Sequence, residues 1–180
     1  MAQLKIENMT FEPLFTEKQL HERIDELGKQ ISDDYRGKDP IFVGVLNGSF
    51  LFMADLARAV DIEFEVDFIK IASYHGDLES SGEIKIIKDF SAEIKNRHIL
   101  LIEDIVDSGL SIKNLSERVK KFEPASFEVV TLLWKKEATK ADINLKYVGF
   151  EIPNKFVLGY GLDYKQRYRQ LRDIYQLVGE

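Results

Sequence analysis

Hydrophobic residues recur along the chain at helical spacing in some segments and as continuous runs in others. From Thr16 to Tyr35 apolar side chains recur every three or four residues, and Thr16 with Gln19 has the spacing of a capping box. Gly37 follows as a suitable stop signal. This pattern predicts a first helix over 16–35.

Continuous apolar runs predict strands that are covered on both faces. Segments with helical spacing follow two of these runs, and such alternation of strand and helix is typical of a mostly parallel sheet with right-handed crossovers. The predicted class is therefore α/β. After the first helix we expect a strand over 41–46, a helix over 50–60, strands over 64–68, 84–87 and 98–102, a helix over 111–122, and strands over 129–134, 147–150 and 156–158.

One predicted strand has an alternating pattern. Phe64, Val66 and Phe68 alternate with Glu65 and Asp67, which is typical of a half-exposed strand. The segment 73–83 that follows contains glycines, serines and acids, so we expect a loop there, with 84–87 returning as the hairpin partner.

Composition limits the possible functions. The chain has 180 residues, which suits one domain, and no cysteine, which excludes disulfides, thiolate metal sites and cysteine nucleophiles and permits a cytosolic address. A net charge of −6 disfavours a general nucleic-acid surface. The longest uncharged stretch, 40–54, is shorter than the roughly 18 apolar residues of a membrane helix. The opening residues MAQLKIEN lack the apolar segment of a signal peptide. We therefore expect no membrane partner.

The strongest chemical signal follows the predicted strand 98–102, because ligands bind beyond the carboxyl ends of such strands. Glu103 and Asp104 come directly after it, and Ser108, Gly109 and Ser111 open the next helix. A glycine with free N–H groups at a helix N-terminus attracts an anion, whereas two carboxylates suit hydroxyl groups or a divalent cation. Together they indicate a sugar phosphate as ligand.

Two other interpretations of these residues stay open at this point. The acids could be solvated loop carboxylates beside an ordinary helix cap. Signalling domains of the flavodoxin-like fold also carry acids after their strands.

Several motifs resemble one known family. The segment LLIEDIVDSGLS resembles the signature of type I phosphoribosyltransferases, and VGVLNGSF, DFIKIASY and VGFEIPNKFVLGYGLDYKQRYR resemble the hypoxanthine-guanine branch, in the same order. The resemblance implies one domain over 1–180: a mostly parallel central sheet flanked by helices, with a small hood built from the N-terminal and C-terminal segments.

The resemblance also implies roles for matching positions. Glu103 and Asp104 bind the ribose 2′ and 3′ hydroxyls, directly or through Mg²⁺, and Asp107 is the general base that takes the N7 proton of the purine. The 5′-phosphate lies in the turn formed by Asp107, Ser108, Gly109, Leu110 and Ser111.

The purine side of the site is implied by later motifs. Lys135 donates to the 6-oxo group, Phe156 stacks on the base, and Val157 reads its edge through backbone groups. Lys155 flanks the pocket, and Asp163 lies near the exocyclic edge and the metal. Without the resemblance, a solvated Lys135 and a core Phe156 are the simpler interpretations.

Pyrophosphate binding and the lid complete the implied site. Arg169 holds pyrophosphate together with the loop of Asn47 and Gly48, although many family members carry lysine where this chain has Asn47. Ser73 and Tyr74 belong to a lid over 73–83. Zinc is not expected, because the three histidines lack zinc spacing.

The implied function is a cytosolic, Mg²⁺-dependent enzyme of purine salvage. It transfers 5-phosphoribosyl from 5-phosphoribosyl pyrophosphate (PRPP) to N9 of hypoxanthine or guanine, and it forms a homodimer or homotetramer. Two alternatives remain: the same chemistry with a preference for xanthine, and a non-catalytic nucleotide-binding regulator on the same fold.

Overall fold

A computed structural model of the protein describes residues 3–73 and 84–179, which contain two sheets. The strands are β1 (Leu4–Ile6), β2 (Met9–Phe15), β3 (Ile41–Leu46), β4 (Glu65–Ser73), β5 (Ile84–Lys88), β6 (His98–Val106), β7 (Ser126–Trp134), β8 (Tyr147–Glu151), β9 (Val157–Leu158) and β10 (Ile174–Gly179). The helices are α1 (Glu17–Tyr35), α2 (Phe50–Ala59) and α3 (Leu110–Lys120), with a short 3₁₀ turn over Lys136–Ala138.

The larger sheet has the order β5-β4-β3-β6-β7-β8. All neighbours are parallel except β5, which pairs antiparallel with β4 at one edge. Side chains of α1 and α2 pack on one face, where Phe42 and Leu100 point, and α3 packs on the other, where Val43 and Leu101 point. The predicted α/β class with a mostly parallel sheet flanked by helices is confirmed.

The predicted first helix is present with its cap. The Thr16 side chain accepts from the Gln19 N–H, and the Gln19 side chain accepts from the Thr16 N–H. The helix ends at Tyr35, and Gly37 follows with a φ of 74°. Across the described ranges, no helix is both long enough and apolar enough to span a bilayer.

The smaller sheet has the order β1-β2-β10-β9, and all three pairs of neighbouring strands are antiparallel. Its strands come from both ends of the chain, so that Phe11 on β2 lies opposite Leu177 on β10. Ile6, Phe11 and Leu158 form its buried cluster. Hydrophobic patterning did not predict β1, β2 or β10.

In β4 the structure reverses the burial that hydrophobicity suggests. Asp67 is buried whereas Val66 is 48% exposed. The Asp67 carboxylate accepts the N–H groups of Ser91 and Ala92 at 2.6 and 3.0 Å and pairs with Lys88 Nζ at 3.1 Å. These bonds lower the pKa of Asp67 despite its burial, and they fasten the segment after β5 to the sheet.

The hairpin partner β5 is present, as predicted. Of the expected lid, Ser73 is the last residue of β4. Tyr74 and the rest of 73–83 lie outside the described residues.

Candidate active site

The acid pair lies inside a strand rather than after it. The sequence predicted that the strand ends at Ile102, but β6 continues to Val106, with Glu103 opposite Thr131 and Ile105 opposite Leu133 of β7. Pairing with β7 keeps the backbone extended past the apolar run, because the ladder continues on that side. The expected turn position of Glu103 and Asp104 is therefore corrected to the carboxyl-terminal half of β6.

Burial dominates the electrostatics of the pair. Burial raises the pKa of Glu103 well above its ordinary value, and the neighbouring Asp104 raises it further. Burial also raises the pKa of Asp104 to about 6, although the Ile105 N–H and Arg169 act in the opposite direction. The Oε2 atom of Glu103 is buried without a hydrogen-bond partner. A buried carboxylate oxygen without a partner is costly, and such an oxygen is suited to binding a ligand group.

The first loop lies against this acid pair. A Cβ atom on Gly48 would lie 1.7 Å from Asp104 Oδ2, so only glycine allows the loop and the carboxylate to approach so closely. The Leu46–Asn47 peptide preceding it is cis, and Asn47 itself is exposed. The loop of Asn47 and Gly48 is thus brought to the carboxyl end of β6.

Asp107 and Lys135 form an ion pair at the ends of adjacent strands. Lys135 Nζ donates to Asp107 Oδ2 at 2.9 Å, and the Lys135 N–H donates to the Val106 carbonyl at 2.9 Å. The Lys135 side chain is 11% exposed and that of Asp107 is 54% exposed. The lysine is therefore held inside the wall of the site, whereas the carboxylate faces its opening.

The turn after β6 has the backbone of an anion cradle. Gly109 is the N-cap of α3 with a φ of 78°, in the left-handed region that favours glycine. The Ser108 carbonyl accepts the N–H groups of Lys140 and Ala141 at 3.0 and 3.1 Å, which fixes the turn from behind. Leu110 and Ser111 form the first turn of α3, whose N–H groups and dipole suit an anion.

Thr139 is a supporting residue that sequence reasoning missed. Its Oγ1 atom donates to the carbonyl of Asp107 or of Lys135, at 2.9 and 3.1 Å, and accepts from Trp134 Nε1 at 2.9 Å. It thereby joins the two strand ends that carry the ion pair. No local pattern signals this role, because the contact with Asp107 spans separate strands.

The expected purine segment contains a partly exposed aromatic ring. Phe156 is 40% exposed, and its ring meets the edges of Phe11 and Tyr164 at centroid distances of 6.2 and 6.0 Å. Val157 is held in β9 opposite Gln176, and Lys155 is exposed. Phe156 is therefore supported by Phe11 and Tyr164 yet accessible, unlike a core phenylalanine.

Asp163 and Arg169 are ion-paired beside the first loop. Arg169 Nη2 lies 2.7 Å from Asp163 Oδ1, and Arg169 Nη1 donates to the Gly161 carbonyl at 2.7 Å. Both charged groups also act on the pKa of Asp104, which Arg169 lowers and Asp163 raises. The structure thus assembles the candidates from the first loop, β6 and the C-terminal segment near one carboxylate.

The carboxylates of Glu103 and Asp104 supply only some of the oxygen ligands that a hard divalent cation needs. Within 3–73 and 84–179, no three His, Asp or Glu side chains converge into a metal site. Mg²⁺ prefers oxygen ligands and usually takes one or two carboxylates with phosphate oxygens and water. The unpartnered oxygen of Glu103 and the carboxylate of Asp104 fit that donor set, provided that a phosphorylated ligand supplies the remainder.

A mostly parallel sheet with two acids on β6 and a glycine-capped helix just after that strand is typical of α/β proteins that bind phosphorylated ligands. Residues 14–165 match the family model described as phosphoribosyl transferase domain. The chain is 46% identical over 160 residues to a hypoxanthine-guanine phosphoribosyltransferase of Staphylococcus aureus, covering 89% of each chain. It is also 46% identical over 166 residues to that of Streptococcus pneumoniae, covering 92% of each.

A solved structure gives the same result. The crystal structure of a hypoxanthine phosphoribosyltransferase from Staphylococcus aureus matches with a TM-score of 0.90 and 46% identity, over 93% of this chain and 91% of that one. The chain belongs to the phosphoribosyltransferase family, among its hypoxanthine-guanine phosphoribosyltransferases. The predictions of family, fold and enzyme class are confirmed.

Proposed function

We propose that this enzyme transfers the 5-phosphoribosyl group of PRPP to N9 of hypoxanthine or guanine, forming IMP or GMP and pyrophosphate in purine salvage. The observation that carries the proposal is the 2.9 Å contact between Lys135 Nζ and Asp107 Oδ2, next to the glycine-capped turn. The Asp107 carboxylate would then lie between the purine and PRPP.

The reaction exchanges one bond at the ribose C1 atom. Its bond to the pyrophosphate oxygen breaks with both electrons leaving on pyrophosphate, and purine N9 forms the new bond from the opposite face. The purine loses its N7 proton to the Asp107 carboxylate. An exposed carboxylate at the opening of the site suits this role, because a general base must reach the proton that it removes.

Lys135 would select the purine. An ammonium group has three donors and no acceptor, so it can keep its bond to Asp107 and still donate to a 6-oxo oxygen. The same group opposes the amino group of adenine. Phe156 would stack on the base with its open face, and Val157 would read the base edge through backbone groups.

Glu103, Asp104 and Asp163 would hold the ribose hydroxyls and Mg²⁺, whereas Ser108, Gly109, Leu110 and Ser111 would hold the 5′-phosphate. When bound, Mg²⁺ neutralises charge on the leaving pyrophosphate. Arg169 and the first loop would bind that group, and a lid over 73–83 with Ser73 and Tyr74 would exclude water.

The finer properties are also proposals. We infer one domain over 1–180 with a hood, a cytosolic address, and a homodimer or homotetramer. A non-catalytic regulator is disfavoured because Asp107 and Lys135 are both present and paired. A preference for xanthine is disfavoured because the relatives at 46% identity are named hypoxanthine-guanine phosphoribosyltransferases.

The decisive experiment supplies PRPP and Mg²⁺ with hypoxanthine, guanine, xanthine or adenine separately and measures nucleotide formation by chromatography. We expect IMP and GMP, and no product without PRPP. Faster formation of the xanthine nucleotide would establish the alternative substrate. PRPP binding by calorimetry without product from any base would establish the regulator.

A further inference from the structure

A buried tyrosine connects α2 to the turn that covers the first loop. The ring of Tyr160 lies in the main core and is 4% exposed. Its hydroxyl donates to Asp55 Oδ2 at 2.6 Å. Burying a hydroxyl is costly unless it is hydrogen-bonded, so Asp55 determines where this ring can rest.

The backbone on either side of Tyr160 is held against the active site. Tyr160 has a φ of 48° and lies between Gly159 and Gly161, each with a φ of 98°. A Cβ atom on Gly161 would lie 2.2 Å from the Gly48 carbonyl oxygen. The Gly161 carbonyl accepts from Arg169 Nη1 at 2.7 Å, and the Gly161 N–H donates to the Arg169 carbonyl at 2.9 Å. Any shift of Tyr160 therefore reaches both the first loop and Arg169.

These contacts close a ring within the fold. Gly48 is followed by Ser49, the N-cap of α2, and Asp55 lies in the middle of that helix. Asp55 holds Tyr160, and the next residue, Gly161, packs back on Gly48. The helix that carries the first loop thus also fixes the turn that covers it.

We propose that Asp55, acting through the Tyr160 hydroxyl, is a positioning residue for the pyrophosphate end of the site. This inference rests on the proposed function. The purine side is held by other elements, since Lys135 is bound to Asp107 and Val106, and Phe156 packs against Phe11 and Tyr164. Asp55 therefore affects PRPP and pyrophosphate more than hypoxanthine, whose expected contacts are with Lys135 and Phe156.

Asp55 has two other side-chain partners, and one of them supplies a control. His21 Nε2 lies 3.3 Å from Asp55 Oδ2, the oxygen that Tyr160 binds. Arg58 Nη2 binds Asp55 Oδ1 at 2.8 Å and its side chain is 79% exposed. Removing that guanidinium leaves the Tyr160 bond, which uses the other carboxylate oxygen. Arg58→Met therefore changes a contact of the same carboxylate but keeps the bond from Tyr160, so it should not disturb the first loop.

The test is Tyr160→Phe, which keeps the ring and removes only the hydroxyl, beside Asp55→Asn, which keeps an acceptor for it. We expect Tyr160→Phe to raise the KM for PRPP and the Kd of pyrophosphate with Mg²⁺ by about tenfold, as for the loss of one buried hydrogen bond. The KM for hypoxanthine should change less than about twofold, as should every constant in Asp55→Asn and Arg58→Met.

Equal changes in the KM values of both substrates, or a lowered melting temperature with unchanged constants, would reduce the bond to a structural role and overturn the inference. Asp55→Ala combined with Tyr160→Phe should raise the KM for PRPP no more than Asp55→Ala alone, because Asp55→Ala already removes the contact that Tyr160→Phe would remove. If the unaltered protein neither binds PRPP nor forms nucleotide, the proposed function itself fails. If it does both and Tyr160→Phe matches it, only the inference fails.

Discussion

Lys135 Nζ and Asp107 Oδ2 lie 2.9 Å apart, so the expected purine-reading cation and the expected general base are already paired in the protein. The pair spans neighbouring strand ends, and the Thr139 hydroxyl lies between their backbones. Because Asp107 is half exposed, solvent screens the attraction, and the pair contributes orientation more than stability.

Replacing the expected base tests the mechanism. Asp107→Asn should bind PRPP normally and lower turnover by about 10²-fold or more, the usual effect of a lost general base. Single-turnover kinetics with hypoxanthine, together with calorimetry for PRPP, measure the two effects. Asp33→Asn is the matched control, because that carboxylate is 66% exposed on α1. Unchanged turnover in Asp107→Asn would remove this residue from the mechanism.

Replacing the lysine tests purine selection. Lys135→Met should lower catalytic efficiency with hypoxanthine by about 10²-fold, given roughly 1.5–3 kcal/mol for a hydrogen bond to a charged group. PRPP affinity should stay nearly constant. Lys136→Met is the control, since its side chain is 62% exposed next to Lys135. Adenine turnover comparable to that of hypoxanthine in the unaltered protein would contradict the 6-oxopurine assignment.

A charge at the phosphate turn should separate binding from folding. Ser111→Asp places a carboxylate beside the expected 5′-phosphate and should weaken PRPP binding. The same negative charge in the first turn of α3 interacts favourably with the helix dipole, so the melting temperature should not fall. Ser116→Asp, further along α3, should leave the affinity unchanged. Equal calorimetric affinities in the two variants would mean that the phosphate binds elsewhere.

Asn47 tests the departure from the family pattern. Because its side chain is exposed on the first loop, Asn47→Lys should tighten pyrophosphate binding by about 1 kcal/mol, as for a partly exposed charged contact. Asn144→Lys adds the same charge at another exposed position. If both variants bind pyrophosphate equally well in calorimetry, the backbone of the loop already satisfies the ligand.

The acid pair makes stability depend on pH. Burial raises the pKa of Asp104 from 3.8 to about 6, so the folded chain holds this proton more tightly than the unfolded chain. Protonated Asp104 therefore makes a favourable contribution to the free energy of unfolding below about pH 4, and this contribution is lost as the pH rises to about 6. Asp104→Asn should stabilise the ligand-free protein at pH 8 by up to about 3 kcal/mol, and by much less at pH 4.5.

Urea unfolding at both pH values measures this difference, and PRPP affinity should fall in the same variant because a ligand group is lost. Asp33→Asn should change neither quantity. Stabilisation by Asp104→Asn that is equal at pH 4.5 and pH 8 would show that the carboxylate is not held in its neutral form.

Local patterns predicted the elements whose contacts are local. The capping box at Thr16 and the apolar run at 41–46 specify α1 and β3 without reference to the rest of the chain. The motif 103–111 predicted the acids and a glycine turn that opens a helix, but the end of β6 depends on pairing with β7. That register is a property of the sheet.

The remaining features depend on distant residues. Asp67 looks like a solvent-facing carboxylate until the N–H groups of Ser91 and Ala92 reach it. In the smaller sheet β2 pairs with β10, from the other end of the chain, and no short stretch of sequence can predict such a pairing. The hydroxyl of Thr139 and the bond from Tyr160 to Asp55 were missed for the same reason.

The two sheets also have a consequence for the order in which the site is made during synthesis. All six strands of the larger sheet have been synthesised once β8 ends at Glu151. The smaller sheet is complete only after β10, which begins at Ile174 and pairs with both β2 and β9. Since chains emerge with the N-terminal part first, a nascent chain contains every strand of the larger sheet and the glycine turn preceding α3 before it can complete the smaller sheet.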